Sequence, residues 1–466
     1  MIVIVYDKRG NDAIEKTKEI LNNLTFSKIE KYVIHTKKDY DEKKNVSDIN
    51  LSDSNIAIGI AIINGLKIAN SEDKRKTIFY GYDFFNEEIE EEISKPNFME
   101  RIINKDGLYI VTSFYKNKLV VYRDPVGLAP FYFHQNNRYL IMSPQIKSFW
   151  IFGIKSPISV PPGRIFYYNK NFYKLSKRNI FPLKHKIDNI DFHAIELSKK
   201  IEEIILKIIK NKENVAIAFS GGLDSSIIAY VLSKYTNVIG YNIGFNGFAE
   251  KWMNIAEDVA EQIGIKLIRL KVSIEDIKKE LENFLTCIEE EKELSIEIGL
   301  PIYFLAKKIS ENNFKKSFFG QGADEIFGGY KRYSILAISN KYRLLEEAML
   351  KDILQLYSTN LERDCKILMN FGLIPVYPYL CKNIIEYTIG LPIYFKLNKE
   401  GERKIILKKI GEKIGLPKNI LDIEKKAIQY SSGSSKAIKM IKKERKEIIS
   451  IIYDNILKKF YKKNYK

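Results

Sequence analysis

Short apolar runs in the first third of the chain predict buried strands. Residues 1–6 and 56–63 are almost continuously apolar, which is typical of strands that are covered on both faces. Between Leu108 and Met142, aromatic and β-branched residues are dense and are interrupted by Asn-containing turn signals, which predicts antiparallel hairpins. We therefore expect the chain up to residue 180 to be rich in β-structure, with a few helices.

The spacing of apolar residues changes after residues 180–192, a polar and charged stretch that contains Pro182 and reads as a linker. Residues 194–210 carry isoleucine and leucine at helical spacing, and short apolar strands then alternate with helices. The pattern predicts strands at 215–219, 238–245, 266–272 and 315–319, and helices that end at 234 or span 252–263, 276–289 and 300–312. Such alternation is typical of a doubly wound parallel sheet, and the chain from Asp352 onward is predicted to be mostly helical.

These patterns predict two domains, at residues 1–185 and 186–466. A chain of 466 residues is too long for one ordinary core, because domains usually contain ~100–200 residues. The expected fold class is α+β for the first domain and α/β for the second, which ends in a helical part.

Composition and charge narrow the class of protein. No apolar run reaches the ~18–20 residues that span a bilayer, so no membrane partner is expected. The formal net charge is +18, but the excess is spread along the chain. It is densest in residues 436–466, whose spacing predicts an amphipathic helix with a solvated lysine face, and nucleic acid is therefore a disfavoured partner. The three cysteines lie far apart and favour a reducing, cytoplasmic location without a zinc site.

The most informative segment follows the predicted strand that ends at Phe219. It consists of Ser220, Gly221, Gly222, Leu223, Asp224, Ser225 and Ser226, and an apolar helix follows it. Glycines let the backbone approach a ligand, and the N–H groups at a helix start bind anions, which predicts a phosphate site. Phosphate would repel Asp224 unless a cation lay between them, so we expect ATP with Mg²⁺. The segment is neither a Walker P-loop nor a dinucleotide motif, and it resembles the pyrophosphate loop of N-type ATP pyrophosphatases.

A second motif, Phe318–Tyr333, comes at the end of the strand predicted at 315–319. Its four glycines allow close approach of the backbone to a ligand, and Asp324 and Glu325 are adjacent carboxylates. Alone, this segment could be only an acidic helix start. Because ligands bind where strand order reverses in such sheets, the two motifs together indicate one site, with Asp324 completing the magnesium shell of Asp224.

Both motifs together resemble the asparagine synthetase family, and the similarity extends along the chain. Further similar segments occur, in the family's order, at Arg123–Tyr132, Ser143–Lys147, Val160–Gly163, Arg363–Asp364, Gly372–Leu380, Lys404–Lys408 and Lys425–Gly433. The resemblance implies an Ntn-type αββα glutaminase domain followed by an ATP-pyrophosphatase domain. It also implies that aspartate and MgATP give β-aspartyl-AMP and pyrophosphate, and that ammonia then displaces AMP.

The resemblance also implies roles for individual residues. The loop at 220–226 would hold the pyrophosphate, and Ile243 and Gly320 would contact adenosine through their backbones. Asp224 and Asp324 would hold Mg²⁺. Lys404, together with Lys425 or Lys426, would neutralise the β- and γ-phosphates. We expect Lys404, Lys426 and Glu325 to be the catalytic residues.

The first domain departs from the family where glutamine is hydrolysed. Ile2 stands at the position of the nucleophilic cysteine, and no arginine lies near Ile58–Gly65. Tyr80-Gly81-Tyr82 replaces the family's Asn-Gly-Glu segment. The first domain therefore lacks the nucleophile, the arginine that binds the carboxylate of glutamine and the oxyanion donor that thiol acyl transfer requires. We expect free ammonia as the nitrogen source.

The second domain departs where the acid is expected to bind. Gln321 stands at the position of a family glutamate, Glu297 at that of an arginine, and Ile374, Val376 and Cys381 at those of three charged residues. Two alternatives therefore stay open: the same adenylation of another acid or amine, as in β-lactam synthetases, or a degenerate nucleotide-binding or regulatory paralogue. The expected partners are an amino acid and ammonia, and a homodimer stays open.

Overall fold

The computed structural model describes residues 2–23, 29–36, 39–63, 67–70, 77–84, 89–93, 95, 98–115, 118–169, 172–177, 180–209, 213–423, 426–444 and 447–461. Along these residues, no helix combines the length and the apolar character that crossing a membrane requires.

The N-terminal part is built from two antiparallel sheets. Its strands are β1 (Ile2–Asp7), β2 (Ile29–His35), β3 (Tyr40–Lys43), β4 (Ile56–Ile63), β5 (Lys67–Asn70), β6 (Thr77–Asp83), β7 (Gly107–Tyr115), β8 (Lys118–Arg123), β9 (Tyr132–Gln135), β10 (Tyr139–Ser143), β11 (Ile158–Ser159), β12 (Ile165–Asn169) and β13 (Phe172–Leu175). Its helices are α1 (Ala13–Asn22), α2 (Ile89–Ile93), α3 (Phe98–Ile102) and α4 (Lys147–Trp150). The strand orders are β11-β9-β10-β1-β4-β2-β3 and β13-β12-β8-β7-β6-β5.

The two sheets pack face to face between helices. Tyr6 on β1 meets Tyr168 on β12 with ring centroids 5.7 Å apart, and Phe133 on β9 meets Phe166 on β12 at 5.2 Å. Helix α1 covers the outer face of the first sheet, where a side chain at Gly59 would overlap with the helix. Apolar residues of α2 and α3 cover the outer face of the second sheet. The expected αββα sandwich is confirmed.

The C-terminal part contains a five-stranded parallel sheet within the described residues. Its elements are α5 (Ile190–Ile208), β14 (Val215–Ala218), α6 (Leu223–Ser233), β15 (Val238–Phe245), α7 (Glu250–Gln262), β16 (Lys266–Val272), α8 (Ile274–Ile288), α9 (Glu293–Glu311), β17 (Lys316–Phe318), α10 (Ala323–Phe327), α11 (Lys331–Ile338), α12 (Tyr342–Leu356), a π-helical turn (Tyr357–Leu361), α13 (Glu362–Asn370), β18 (Ile374–Val376), α14 (Lys382–Ile389), α15 (Ile405–Ile414), α16 (Lys418–Leu421), α17 (Ile428–Ser431), α18 (Ser434–Glu444) and α19 (Ile448–Tyr461). The order β16-β15-β14-β17-β18 confirms the doubly wound sheet.

Strand order reverses between β14 and β17, which pair in parallel. Segments that leave two such strands diverge to opposite faces, and the crevice between them binds ligands in sheets of this type. The two motifs predicted to form one site begin here, at Ser220 and Gly320. Of the five strands in this sheet, only the short edge strand β18 was not predicted from the sequence.

Helix α9 begins seven residues before the predicted start at residue 300. Pro301 suggested a helix start, but it lies inside the helix. Proline has no N–H, so the carbonyl of Glu297, four residues earlier, lacks its intrahelical partner. The Ser434 hydroxyl donates to this carbonyl at 2.5 Å and satisfies it from α18.

A buried ion pair crosses between the sandwich and the C-terminal part. Arg123 at the end of β8 is fully buried, and its Nη1 lies 2.9 Å from Oε1 of Glu362 at the start of α13. Tyr132 donates to the other carboxylate oxygen at 2.9 Å, and Ser159 donates to Oε1 at 2.5 Å. Arg123 also donates to the carbonyls of Val160 and Gly127. The carboxylate of Glu362 therefore has three partners from the sandwich.

Two further contacts fix the same junction. The buried carboxylate of Glu289 accepts from the backbone N–H of Ile146 at 2.7 Å and lies 3.2 Å from Lys366 Nζ. Trp150 packs edge-on against Tyr453 and Phe460 of α19. The basic C-terminal helix thus packs against both α8 and helix α4 of the sandwich.

Asp106 makes the junction sensitive to pH. It accepts from the backbone N–H of Lys382 at 2.6 Å, at the start of α14. Burial, together with the nearby charge of Asp83, raises the pKa of Asp106 from 3.8 to about 7, although the hydrogen bond from Lys382 opposes the rise. The folded state then holds a proton that the unfolded chain has lost, so the free energy of unfolding falls as pH rises from about 4 to about 7.

We therefore expect Asp106→Asn to gain thermal stability relative to the natural chain as pH rises. An asparagine oxygen can still accept from Lys382, but it carries no charge that burial penalises. Melting temperatures of both proteins should be similar near pH 4 and should diverge by several degrees by pH 8. A constant difference across this range would contradict the assignment.

Candidate active site

Close packing requires glycine in the turn after β14. Gly221 has φ +73°, and a Cβ there would lie 2.7 Å from Cα of Ala256 on α7. Gly222 is extended and forms the N-cap of α6. The first N–H groups of α6 therefore open towards the crevice, and this geometry is suited to phosphate oxygens.

Serine hydroxyls brace this loop. Ser225 Oγ donates to the carbonyl of Gly222 at 3.1 Å and accepts from the backbone N–H of Ser220 at 3.3 Å. Ser220 Oγ lies 3.2 Å from Ser225 Oγ and accepts from the N–H of Gly222. Ser226 is fully buried, and its hydroxyl makes no hydrogen bond among the described residues. Ser220 and Ser225 thus shape the loop, whereas Ser226 points away from the crevice wall.

The second motif passes directly over the start of α6. A Cβ at Gly320 would lie 3.0 Å from both Cβ of Asp224 and the backbone N of Ser225. This close approach brings Asp324, at the start of α10, to the same side as Asp224. The sequence motifs predicted this meeting, and the structure places the two carboxylates around one cation.

That cation is the ammonium of Lys404. Its Nζ lies 2.5 Å from Oδ1 of Asp224 and 2.8 Å from Oδ1 of Asp324. All three side chains are largely buried, with 8% of Lys404, 13% of Asp224 and 16% of Asp324 exposed. Lys404 has φ +58°, an unfavourable conformation for a residue with a Cβ, and it caps α15. Such strain is typical of functional positions.

Two converging carboxylates also suit a magnesium ion. Mg²⁺ prefers hard oxygen ligands and usually binds proteins through one or two carboxylates together with substrate phosphates. Asp224 and Asp324 provide these donors beside a phosphate-type loop, so the residues present fit the ion. Tyr379 donates to the backbone carbonyl of Asp224 at 3.0 Å and fixes its position.

The loop, the carboxylates and Lys404 line one cavity of about 900 Å³. Of the residues predicted for the site, the cavity is lined by Ser220, Gly222, Leu223, Asp224, Ser225, Ile243, Gly320, Asp324, Glu325, Lys404 and Lys426. Gly221 and Ser226 support the loop from behind. Lys425 lies outside the described residues, and Lys426 lies over the Trp252 ring at 5.2 Å.

Apolar residues form the end of the cavity beside β15. Ile243, Trp252 and Ile255 line it together. Asn242 donates to the carbonyl of Phe219 at 2.7 Å and joins β15 to the start of the loop. A flat aromatic base would fit here next to the phosphate loop. Trp252 was not predicted, because no local motif marks it.

Glu325 is paired with a tyrosine that the sequence did not single out. Tyr330 Oη donates to Glu325 Oε1 at 2.5 Å, and both residues line the cavity. Burial and the charge of Glu325 raise the pKa of Tyr330 above its usual value. The Tyr330 hydroxyl therefore stays protonated. It can donate its proton to the Glu325 carboxylate only if it accepts another proton at the same time.

A polar helix face forms another wall of the cavity. It runs along α12, the π-helical turn and α13, and consists of Asp352, Gln355, Thr359, Asn360, Arg363 and Asp364. The π-helical turn shifts the usual 3.6-residue period, which hid this face from a search for helical spacing. Nε and Nη2 of Arg363 contact Oδ1 of Asp364 at 2.8 and 2.6 Å. Burial raises the pKa of Asp364, and Arg363 opposes this rise.

The positions that depart from the family lie mostly away from this cavity. Ile374, Val376 and Cys381 are buried in the core and are not among its lining residues. Glu297 is also absent from the lining and accepts from Ser435 Oγ at 2.8 Å. Gln321, in contrast, does line the cavity.

We expect Gly329→Ala to impair the site without unfolding the protein. A Cβ at Gly329 would overlap with Oδ1 of Asp324 and Cε of Lys404 and would push the pair apart. A misplacement of about 1 Å can lower a rate about 100-fold, so activity should fall by this order. ATP–pyrophosphate exchange and the melting temperature measure both effects. Gly264→Ala is the control for backbone strain alone: its Cβ meets nothing within 4 Å but its φ is +72°, so it should lower the melting temperature and leave exchange unchanged. Unchanged exchange in Gly329→Ala would contradict the geometry.

Comparison with known proteins agrees with these features. The Asparagine synthase family matches residues 196–344 and 337–464. The chain is 25% identical to "Putative asparagine synthetase (glutamine-hydrolyzing) 1" of Methanocaldococcus jannaschii, over 95% of this chain and 88% of that protein. It is 24% identical to the glutamine-hydrolysing asparagine synthetase of Sandersonia aurantiaca, over 70% of this chain and 65% of that protein. The structure of NMN synthetase from Francisella tularensis aligns with a TM-score of 0.30 at 12% identity, covering 60% of this chain and 95% of that one.

Proposed function

Since the chain belongs to the asparagine synthase family of ATP-dependent carbon–nitrogen ligases, we propose that it adenylates the side chain of aspartate and transfers the acyl group to ammonia. This proposal rests on one observation: beside the loop at 220–226, the ammonium of Lys404 contacts the carboxylates of both Asp224 and Asp324. We assign residues 1–185 and 186–466 to two domains, of which the second performs the chemistry. The free, buried cysteines fit a reducing cytoplasm.

In the first step, an oxygen of the aspartate side chain attacks the α-phosphorus of ATP and pyrophosphate leaves. The backbone N–H groups of the first turn of α6 bind the departing phosphates. Asp224 and Asp324 would hold Mg²⁺, which would supply charge neutralisation for the leaving group when bound. Lys404 and Lys426 then stabilise the negative charge that develops on the β- and γ-phosphates.

In the second step, ammonia attacks the acyl carbon and AMP leaves. The new C–N bond leaves an extra proton on nitrogen, which a base must accept. We assign this role to Glu325, with Tyr330 as the hydroxyl that receives the proton while it donates its own to the carboxylate. The assignment rests on their 2.5 Å hydrogen bond inside the cavity.

Ammonia is favoured over glutamine because residues 1–185 contain no cysteine that could act as the nucleophile of glutamine hydrolysis. Ile2 is fully buried between β10 and β4, and Tyr80 is buried on β6. The chain's three cysteines all lie beyond the sandwich and are buried, and burial raises the pKa of Cys287 to about 12. A thiol in this state is a poor nucleophile.

We expect the purified protein to release no glutamate from glutamine, with or without ATP and aspartate. Ammonium chloride should support asparagine formation in the same buffer and serves as the positive control. Glutamate release at a rate similar to asparagine formation would overturn the ammonia proposal.

A second candidate is the adenylation of a different acid. It is favoured by Gln321, which lines the cavity. Gln321 leaves the cavity without the glutamate expected there.

Pyrophosphate release in the presence of MgATP and each amino acid separates these functions. Release that depends on aspartate, with asparagine formed only when ammonia is present, supports the first proposal. Release with another acid supports the second candidate. ATP binding without pyrophosphate release under any of these conditions would contradict both functions and would indicate a nucleotide-binding protein.

A further inference from the structure

We propose that Arg363 and Asp364 together bind the head group of a zwitterionic α-amino acid, and so select the acid that this ligase adenylates. Arg363 takes the α-carboxylate and Asp364 takes the α-ammonium, which leaves the side-chain carboxylate for the α-phosphate. The inference rests on the proposed function, because it assumes that an acid is adenylated in this cavity.

The first support is the position of the pair. Arg363 and Asp364 line the same cavity as Asp224, Asp324 and Lys404. Their wall is the polar helix face, whereas the apolar residues Ile243, Trp252 and Ile255 line the part next to β15. A charged head group would therefore find its partners on this face.

The second support is the hydrogen-bonding capacity that the pair retains. Arg363 contacts one oxygen of Asp364 through Nε and Nη2. Among the described residues, Arg363 Nη1 and Asp364 Oδ2 make no hydrogen bond. A guanidinium donates in a fixed fork that matches a carboxylate, and a carboxylate oxygen accepts from an ammonium. The pair thus presents one donor group and one acceptor group side by side.

The third support is that the pair is rigidly held. Only 4% of Arg363 and 3% of Asp364 are exposed, and Gly299 on α9 leaves room for the arginine arm, with a built Cβ 3.1 Å from Cδ of Arg363. Glu362, the preceding residue, is anchored to Arg123, Tyr132 and Ser159 of the sandwich. A site fixed in this way loses little entropy when a ligand binds.

The fourth support concerns the charges that this chain lacks. Ile374, Val376 and Cys381 carry no charge and lie in the core. The carboxylate of Glu297 accepts a hydrogen bond from Ser435. Among the described lining residues, Arg332, Arg363, Arg403, Lys404, Lys408 and Lys426 are the cations. Arg403 donates to the carbonyl of Gly329, Arg332 pairs with Asp352, and Lys408 pairs with Glu402 and Asp422. Lys426 lies over the Trp252 ring, and among the described lining residues Arg363 is the arginine that pairs only with its own neighbour, Asp364.

Calorimetry tests the inference without requiring turnover. Full-length protein is saturated with Mg²⁺ and α,β-methylene-ATP, which cannot release pyrophosphate, and is titrated with aspartate, succinate or β-alanine. Succinate lacks the ammonium, and β-alanine lacks the α-carboxylate. Arg363→Gln and Asp364→Asn are compared with the natural chain, with Arg343→Gln, a 92% exposed arginine, as the control.

Each variant should weaken aspartate binding by roughly tenfold to a hundredfold, the value of a charge-assisted hydrogen bond. Asp364→Asn should change succinate binding less than threefold, and Arg363→Gln should change β-alanine binding equally little. The affinity for α,β-methylene-ATP should be unchanged. Should Arg363→Gln fail to fold, Arg363→Lys keeps the charge without the fork and should weaken aspartate binding to an intermediate extent.

Equal weakening of all three acids, unchanged aspartate binding in both variants, or no binding of any acid by the natural chain would each overturn the inference. Selective loss of the matching group supports it. Failure of the proposed function looks different, because aspartate would then bind in an Arg363-dependent way while ATP–pyrophosphate exchange stays absent.

Discussion

Asp224→Asn should lower aspartate-dependent ATP–pyrophosphate exchange about 1000-fold. The substitution keeps the size of the side chain and removes a charge beside the loop at 220–226, where pyrophosphate charge develops. Losing one such electrostatic group typically lowers a rate by about 10²–10³-fold. Asp324→Asn should have a comparable effect, because Lys404 lies 2.8 Å from its carboxylate and 2.5 Å from that of Asp224.

The measurement is exchange of labelled pyrophosphate into ATP at saturating magnesium. Asp454→Asn, an exposed position on α19, is the matched control and should keep the natural rate. The double variant of Asp224 and Asp324 should lose little more than either single variant, since residues that act as a unit are not additive. Exchange within tenfold of the natural rate in Asp224→Asn would contradict the proposed magnesium site.

Glu362→Ala should lower the free energy of unfolding by about 3–5 kcal/mol. It removes the acceptor of Arg123, Tyr132 and Ser159 and leaves a guanidinium that is 0% exposed without its counter-charge. Breaking one side of a buried ion pair has an effect of this size, because the remaining charge stays desolvated. Since chains with more than one domain often unfold in several steps, the urea midpoint of each transition should be compared.

Two controls distinguish this from a general effect of losing a glutamate. Glu347→Ala, a 59% exposed partner of Arg343, should change stability by less than about 0.5 kcal/mol. The double change Arg123→Met and Glu362→Leu should recover part of the loss, because well-packed apolar residues can replace a buried pair. A Glu362→Ala protein as stable as the natural chain would show that the pair contributes nothing across the junction.

Much of the fold followed from apolar spacing alone. The strand at 215–219 was a continuous apolar run and the one at 238–245 a mostly apolar run, and both alternated with helical patterns, which is typical of buried parallel strands. β18 was missed because a strand of three residues that contains Pro375 carries too little pattern. The start of α9 was placed too late because a proline usually marks the first turn of a helix, and a distant hydroxyl on Ser434 removes its usual cost here.

In the site too, some residues could be predicted from the sequence and others could not. Local motifs predicted the loop at 220–226 and Asp324, because both follow strands of one sheet. They could not predict that Lys404 would lie between the carboxylates, since that requires a turn 180 residues away in the sequence to adopt a left-handed conformation. Arg363 and Asp364 could be linked only to a family segment, because their burial and their place on the cavity wall arise from tertiary packing.

The ion pair between Arg123 and Glu362 also bears on how this chain can evolve. A gene fragment that encoded only the C-terminal half would leave the carboxylate of Glu362 without the three side chains that satisfy it. The C-terminal half therefore depends on the sandwich for the stability of its own buried carboxylate. A substitution at Arg123, Tyr132 or Ser159 would destabilise both halves, whereas Tyr80 lies in the sandwich on β6.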